Sequence, residues 1–215
     1  MLCLVVALTA YLLGSIPTGF LFAKARGLDI RTVGSGNIGA TNVFRSLGKP
    51  AGIAVLALDG LKGYLACTVL VRSVAQAFGA APGVADREGL AIIAGIAAIL
   101  GHNYTCWLGF KGGKGIATSA GVLISLLPWP FLIILGVWIV VFCLSRYVSL
   151  ASVSAAVVLP FATGLTGKSP LMIGVAASMS ALAIYKHRSN IQRLVRGSEN
   201  RVSFKKARSS TASNG

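Results

Sequence analysis

The chain has 215 residues, 55% of them hydrophobic and 12% charged, with a mean hydropathy of +0.78. That balance excludes an ordinary water-soluble domain and points to a protein whose solvent is largely lipid. Twenty Lys and Arg against five Asp and Glu give a formal charge of +15. The basic residues gather between apolar runs, without an aromatic-lined basic face, which argues against nucleic acid and for the positive-inside bias of membrane proteins.

A helix needs roughly 20 apolar residues to cross the hydrocarbon core, and fewer where the bilayer is thinned. Candidate spans in chain order are residues 2–23, 51–72, 89–106, 116–128, 129–145, 149–166 and 170–186. The first has no basic region before it and no soluble domain after it, so it reads as a span and not as a secretory leader. Residues 117–142 are nearly continuously apolar, and the Pro128-Trp129-Pro130 interruption divides them into two spans. The fold class is therefore all-α, a polytopic membrane protein of seven helices.

With the amino terminus outside, this count gathers the basic residues on the cytoplasmic side and leaves little beyond Arg87 and Lys168 outside. Residues 1–196 form one transmembrane domain. Residues 197–215 are too polar to pack and are expected to be a disordered cytoplasmic tail. The four cysteines are far apart and lack a CxxC pair, so they read as small hydrophobes, and no metal is expected.

Three polar islands interrupt the lipid-like sequence. The first, Gly34–Arg45 (GSGNIGATNVFR), matches the letters GxGxxG but follows a mixed polar stretch and not a strand, so no dinucleotide site is implied. Its glycines permit close backbone approach and exposed N–H groups, and Gly36 and Asn37 lie in that nest-like run. Ser35, Thr41, Asn42 and Arg45 can then converge on an anion at the start of a short helix. Nearby, Asp59 and Lys62 are three apart on an apolar span and read as a structural ion pair.

The second island, Gly109–Thr118 (GFKGGKGIAT), resembles a phosphate loop without being a Walker A motif, since Gly115 stands where Ser or Thr would hold magnesium. Its simplest reading is a glycine run that opens a helix. Free N–H groups of Gly112, Gly113 and Gly115 would receive a phosphate flanked by Lys111 and Lys114, with Thr118 on the same side. His102, just before the island, reads as a structural hydrogen-bonding residue. In the third island, Lys186–Glu199 (KHRSNIQRLVRGSE), His187 and Asn190 share a face if the helix continues. His187 can take up a proton and Asn190 can orient a hydroxyl or carbonyl.

These islands, together with GSIPTGF (Gly14–Phe20) and GHNYTCWLGFKGGKGIATSAG (Gly101–Gly121), resemble the bacterial acyl-phosphate-dependent glycerol-3-phosphate acyltransferase family over residues 1–199. The resemblance implies an inner-membrane enzyme that moves a fatty acyl group from acyl phosphate to the 1-hydroxyl of sn-glycerol 3-phosphate, giving lysophosphatidic acid and phosphate. It places Ser35, Arg45, one lysine of the second island (Lys111 or Lys114), His187 and Asn190 around glycerol phosphate. It puts the Gly112–Gly115 backbone and Thr41 near the acyl-phosphate group.

Ser35, His187 and Asn190 are accordingly the expected catalytic set. The expected partners are glycerol 3-phosphate, a long-chain acyl phosphate and membrane lipids, with no cofactor, no nucleic acid and no obligate protein partner. Because acyl phosphate already carries a good leaving group, direct transfer is expected instead of an acyl-enzyme. The competing reading, a transporter or binding protein for an organic phosphate, would want polar positions through the bilayer and matching halves, whereas the polar residues here cluster on one side.

Overall fold

The fold comes from a computed structural model, which describes residues 1–80 and 83–202. All regular structure among these residues is helical. The chain is a polytopic membrane protein, with five segments among the described residues long and apolar enough to cross a bilayer: Leu2–Lys24, Lys49–Ala77, Asp86–Leu108, Pro128–Ser145 and Val148–Leu165. Two shorter apolar helices, Ile116–Leu126 and Pro170–Lys186, accompany them.

Several segments are less simple than the hydropathy pattern predicts. The first divides into α1 (Leu2–Ser15) and α2 (Thr18–Lys24), because Pro17 has no N–H to continue the helix. A short helix, α3 (Ala40–Leu47), closes the first island and packs on α4 (Lys49–Leu65). After α4 a π-helical turn, Ala66–Leu70, leads into α5 (Val71–Ala77). The third segment is α6 (Val84–Asn103), ending in a 3-10 turn at Cys106–Leu108.

The apolar run 117–142 does break at the prolines: α7 (Ile116–Leu126) stops at Leu127 and α8 (Pro128–Ser145) starts on Pro128. Then come α9 (Val148–Leu165), α10 (Pro170–Lys186) and α11 (Arg188–Val195).

Four pairings organise the bundle: α1 on α6, α4 on α7, α8 on α9 and α10 on α9. The first two depend on bare backbones, as small residues do in membranes. A Cβ added at Gly121 on α7 would fall 1.9 Å from the Gly60 carbonyl oxygen on α4, and one at Gly14 on α1 would fall 2.1 Å from the Ala98 carbonyl oxygen on α6. Elsewhere the core is aliphatic, with Ile99, Val122, Leu159 and Met179 in one cluster. The outward faces carry exposed Leu, Ile, Val and Phe, as a lipid-facing surface should.

By composition, residues 197–202 are expected to belong to a disordered tail. Residues 197–202 fold back on the bundle: the Val202 N–H donates to the Arg146 carbonyl at 3.0 Å, and Arg201 lies over the Tyr147 ring. These contacts supply the packing that local sequence lacks. Residues 203–215 lie outside the described residues.

Candidate active site

The first island is an irregular loop held from within by one side chain. Asn42 is 1% exposed; its Nδ2 donates to the carbonyls of Ile30 (3.2 Å) and Val33 (3.0 Å), and its Oδ1 accepts the Ser35 N–H (2.9 Å). Asn37 is likewise used locally, its Oδ1 accepting the Gly39 N–H at 2.8 Å. Asn42, with both ends of its amide bonded to backbone, and Asn37, through its Oδ1, thus shape the loop. Gly36 has φ +67°, a conformation that favours glycine. Ser35 stays exposed, and Thr41 is half-buried in the first turn of α3. Arg45, in the last turn of α3, reaches out of the island and donates to the Asn200 carbonyl at 3.1 Å.

The second island does not offer its glycine N–H groups in the way the pattern suggests. The Gly112 N–H donates to the Asn103 carbonyl (3.2 Å) and the Gly113 N–H to the His102 carbonyl (3.0 Å), so both point back into the protein. The loop is seated on the end of α6, a tertiary contact that its own letters do not encode. No backbone acceptor among the described residues takes the N–H groups from Lys114 to Thr118, which include Gly115 and the opening turn of α7. The anion-attracting end is therefore one or two residues later than expected. Thr118 is fully buried and its hydroxyl lacks a hydrogen-bond partner among the described residues.

The two candidate lysines separate. Lys111 is exposed, whereas the half-buried Lys114 turns inward and its Nζ donates to Asn190 Oδ1. Burial pushes the Lys114 ammonium down to about 8, with Arg193, Arg45 and Lys186 adding repulsion and Glu199 opposing it.

In the third island α10 ends at Lys186, and His187 forms the corner before α11. His187 and Asn190 are both buried, 3% and 5% exposed. His187 Nδ1 lies 2.8 Å from the Ala183 carbonyl oxygen. A carbonyl only accepts, so Nδ1 carries the proton and Nε2 keeps its lone pair. Burial, reinforced by the Lys114 charge, pushes the imidazole down to about 4, so it is neutral at pH 7.

Glu199 closes this constellation, and sequence reasoning assigned it no role. Its Oε1 accepts from Asn190 Nδ2 (2.7 Å) and from the Ser149 hydroxyl (2.8 Å), and its Oε2 accepts from Arg193 Nε (2.7 Å). Burial works to raise its carboxyl, but the bonds from Asn190, Arg193 and Ser149 outweigh that and hold it below the usual range. The available signal was a single acid in a strongly basic stretch.

Lys114 of the second island and Asn190 of the third are in direct contact, and Arg45 of the first island meets Asn200 beyond the third. All three islands thus share one end of the bundle. Ser35 is held within the first island by its backbone bond to Asn42, and the side chains of Ser35, Thr41 and Lys111 take no hydrogen-bond partner among the described residues.

The fold and this cationic cluster define a multi-pass membrane protein with a set of groups suited to phosphorylated ligands at one end of a helical bundle. The family model of glycerol-3-phosphate acyltransferase matches residues 4–197. The chain is 48% identical over 197 residues to the glycerol-3-phosphate acyltransferase of Geotalea daltonii, covering 92% of this chain and 96% of that one. It is 46% identical over 198 residues to that of Geobacter sulfurreducens, again covering 92% and 96%.

Among solved structures it is similar to the crystal structure of PlsY (YgiH), an integral membrane glycerol 3-phosphate acyltransferase. The glycerol 3-phosphate form gives a TM-score of 0.82 at 41% identity, covering 94% of this chain and 96% of that one. The lysophosphatidic acid form gives 0.80 at 40%, covering 94% and 95%. The chain belongs to the glycerol-3-phosphate acyltransferase family.

Proposed function

We infer that this chain transfers a fatty acyl group from acyl phosphate to the 1-hydroxyl of sn-glycerol 3-phosphate, within the bacterial inner membrane. In that step the glycerol oxygen bonds to the acyl carbon while the bond from that carbon to the phosphate oxygen breaks. The products are 1-acyl-glycerol 3-phosphate and inorganic phosphate. The hydroxyl proton passes to His187 Nε2 and then to the departing phosphate.

The observation that supports this reading is that a neutral His187, a cationic Lys114 and the Asn190 amide gather in one cluster, Lys114 bonded to Asn190 and its charge felt by the imidazole. In these roles Arg45 and Lys114 hold glycerol phosphate, Ser35 contributes a hydroxyl at its edge, and Asn190 sets Lys114. The N–H groups from Lys114 to Thr118 take the acyl-phosphate oxygens, with Gly112 and Gly113 shaping the turn that presents them. No Ser35 acyl-enzyme is required, because phosphate is already a competent leaving group.

The same reading holds the chain to seven crossings, with the amino terminus outside and the site on the cytoplasmic side. Seven crossings put the islands on one face, consistent with the contacts between them. With 11 residues, α7 spans about 16 Å, roughly half the hydrocarbon core. The glycine island then lies below the headgroup level, where an acyl phosphate anchored by its tail can bring its phosphate.

The deciding experiment supplies detergent-purified protein with palmitoyl phosphate and glycerol 3-phosphate and measures phosphate release and lysophosphatidic acid together. Both products, requiring both substrates and absent with palmitoyl-CoA, are expected. A folded, lipid-supplemented protein that makes neither overturns the assignment.

A further inference from the structure

Beneath the glycine loop lies a buried ionic cluster that the site has not used. Asp59 and Lys62, 2% and 5% exposed, pair at 2.9 Å on α4. The same Asp59 oxygen, Oδ1, accepts from the Thr18 hydroxyl at 2.9 Å and lies 3.7 Å from His102 Nδ1. Lys62 Nζ also donates to the Ile16 carbonyl at 3.0 Å, which the Pro17 break leaves without its helical partner. The cluster therefore ties the α1–α2 break and α4 to the end of α6. Burying charges among membrane helices is costly, and an ion pair there is weak grounds for stability.

The far edge of the imidazole supplies a reason for the cost. A Cβ added at Gly113 would fall 2.1 Å from His102 Nε2, and one at Gly112 would fall 2.1 Å from the His102 carbonyl oxygen. The Gly113 N–H donates to that same carbonyl, and the next residue is Lys114. The ring is thus packed between the Asp59 carboxylate on one side and the loop on the other. Its neighbours in charge are Asp59, Lys62 and Lys186.

We propose that His102, oriented by the Asp59–Lys62 pair, is a positioning residue that seats the glycine loop and thereby places Lys114 and the open end of α7 for catalysis. The proposal rests on the acyltransferase reading above. A loop displaced by about an ångström would cost up to about 100-fold in rate.

Kinetics of four variants test it, with wild-type lysophosphatidic acid synthesis as the control that separates failure of the enzyme assignment from failure of this inference. His102→Asn keeps a polar atom beside Asp59 but withdraws the edge that meets Gly113. It should lower kcat/KM for palmitoyl phosphate on the order of 10-fold, and His102→Gln, which reaches the Nε2 position, should recover most of that. Gly113→Ala should fall about 100-fold, because its methyl collides with the ring.

The diagnostic variant is Gly113→Ala combined with His102→Asn, where the shorter side chain vacates the space. It should be about 10-fold more active than Gly113→Ala alone. With active wild type, a double variant whose loss equals the product of the two single losses overturns the proposal. So does a His102→Gln that lowers kcat/KM as much as His102→Asn at equal thermal stability. A purely structural histidine would move the melting temperature without producing the rescue.

Discussion

Replacing Asn42 tests whether the first island is held from inside, as its three hydrogen bonds indicate, or whether Asn42 meets substrate. Asn42→Ala removes all three bonds, at about 1 kcal/mol net each, so about 3 kcal/mol. Asn42→Asp is nearly the same shape but turns the Nδ2 donor into an oxygen that faces two carbonyls at 3.2 and 3.0 Å. Two bonds are lost and an acceptor is left buried against acceptors, at about 1–3 kcal/mol more. The isosteric variant should therefore be at least as damaging as alanine near neutral pH.

The two variants should also differ in pH response. The carboxyl that Asn42→Asp introduces, desolvated beside carbonyl oxygens, would have its folded-state pKa raised above the unfolded value near 4. Stability from its protonated form, which can donate to one carbonyl, is then present at low pH and lost as pH rises through the folded pKa. Thermal unfolding in detergent should show Asn42→Ala down by about 6–12 °C, at about 2–4 °C per kcal/mol for a chain of this size. Asn42→Asp should recover part of its deficit between pH 7 and pH 5, and Asn42→Ala should not. Unchanged melting temperatures with a raised KM for glycerol 3-phosphate would refute this and make Asn42 a ligand.

The pH profile follows from groups at the pocket. Lys114, pushed down to about 8, loses its charge as pH rises through that value, so kcat/KM should fall on the alkaline side, and Lys114→Arg should move that limb upward. His187, pushed down to about 4, stays neutral across the working range, so the imidazole adds no acid limb near pH 6.5 beyond the substrate phosphate's own ionisation; a profile flat from pH 7 to 10 would contradict the role given to Lys114. In the bundle, Gly121→Ala forces α7 off the Gly60 carbonyl and should cost about 1–3 kcal/mol in a melting experiment. Gly136→Ala on α8, where nothing lies within 4 Å of the added atom, should be neutral or slightly stabilising; equal effects would refute the account of helix contact.

What lipid demands of each segment separately was legible in the chain. The apolar runs, the interruption at Pro128 and the pairing of Asp59 with Lys62 all follow from local spacing, and each has its counterpart in the structure. Interactions set by tertiary contact were not legible. Nothing near Gly112 says that its N–H turns toward Asn103, and nothing near Asn42 says that its amide reaches back to Ile30. The same holds for residues 197–202, whose composition reads as a tail until Glu199 finds Ser149, 50 positions away. The family motifs leave Lys111 and Lys114 as alternatives, and the inward turn of Lys114 onto Asn190, against the exposed Lys111, is what recommends Lys114 for the proposed role.

If the cluster binds the substrate as proposed, the orientation of Asn190 accounts for the uptake of a dianion among crowded cations. Its Nδ2 donates to Glu199 and its Oδ1 accepts from Lys114, so donor and acceptor are assigned by their neighbours and the amide cannot be reversed. Glu199 spends its charge on Arg193, Asn190 and Ser149, and offsets repulsion among Arg45, Lys114 and Arg193 without bonding to Lys114. Among the described residues Lys114 is left holding only a neutral amide oxygen. A phosphate offers a charge-assisted bond roughly twice as strong, so in the proposed role Lys114 would gain by exchanging partners. An aspartate at position 190 would pair with Lys114 directly and compete with the substrate, which is a physical reason for asparagine at the one site where Lys114 and Glu199 meet.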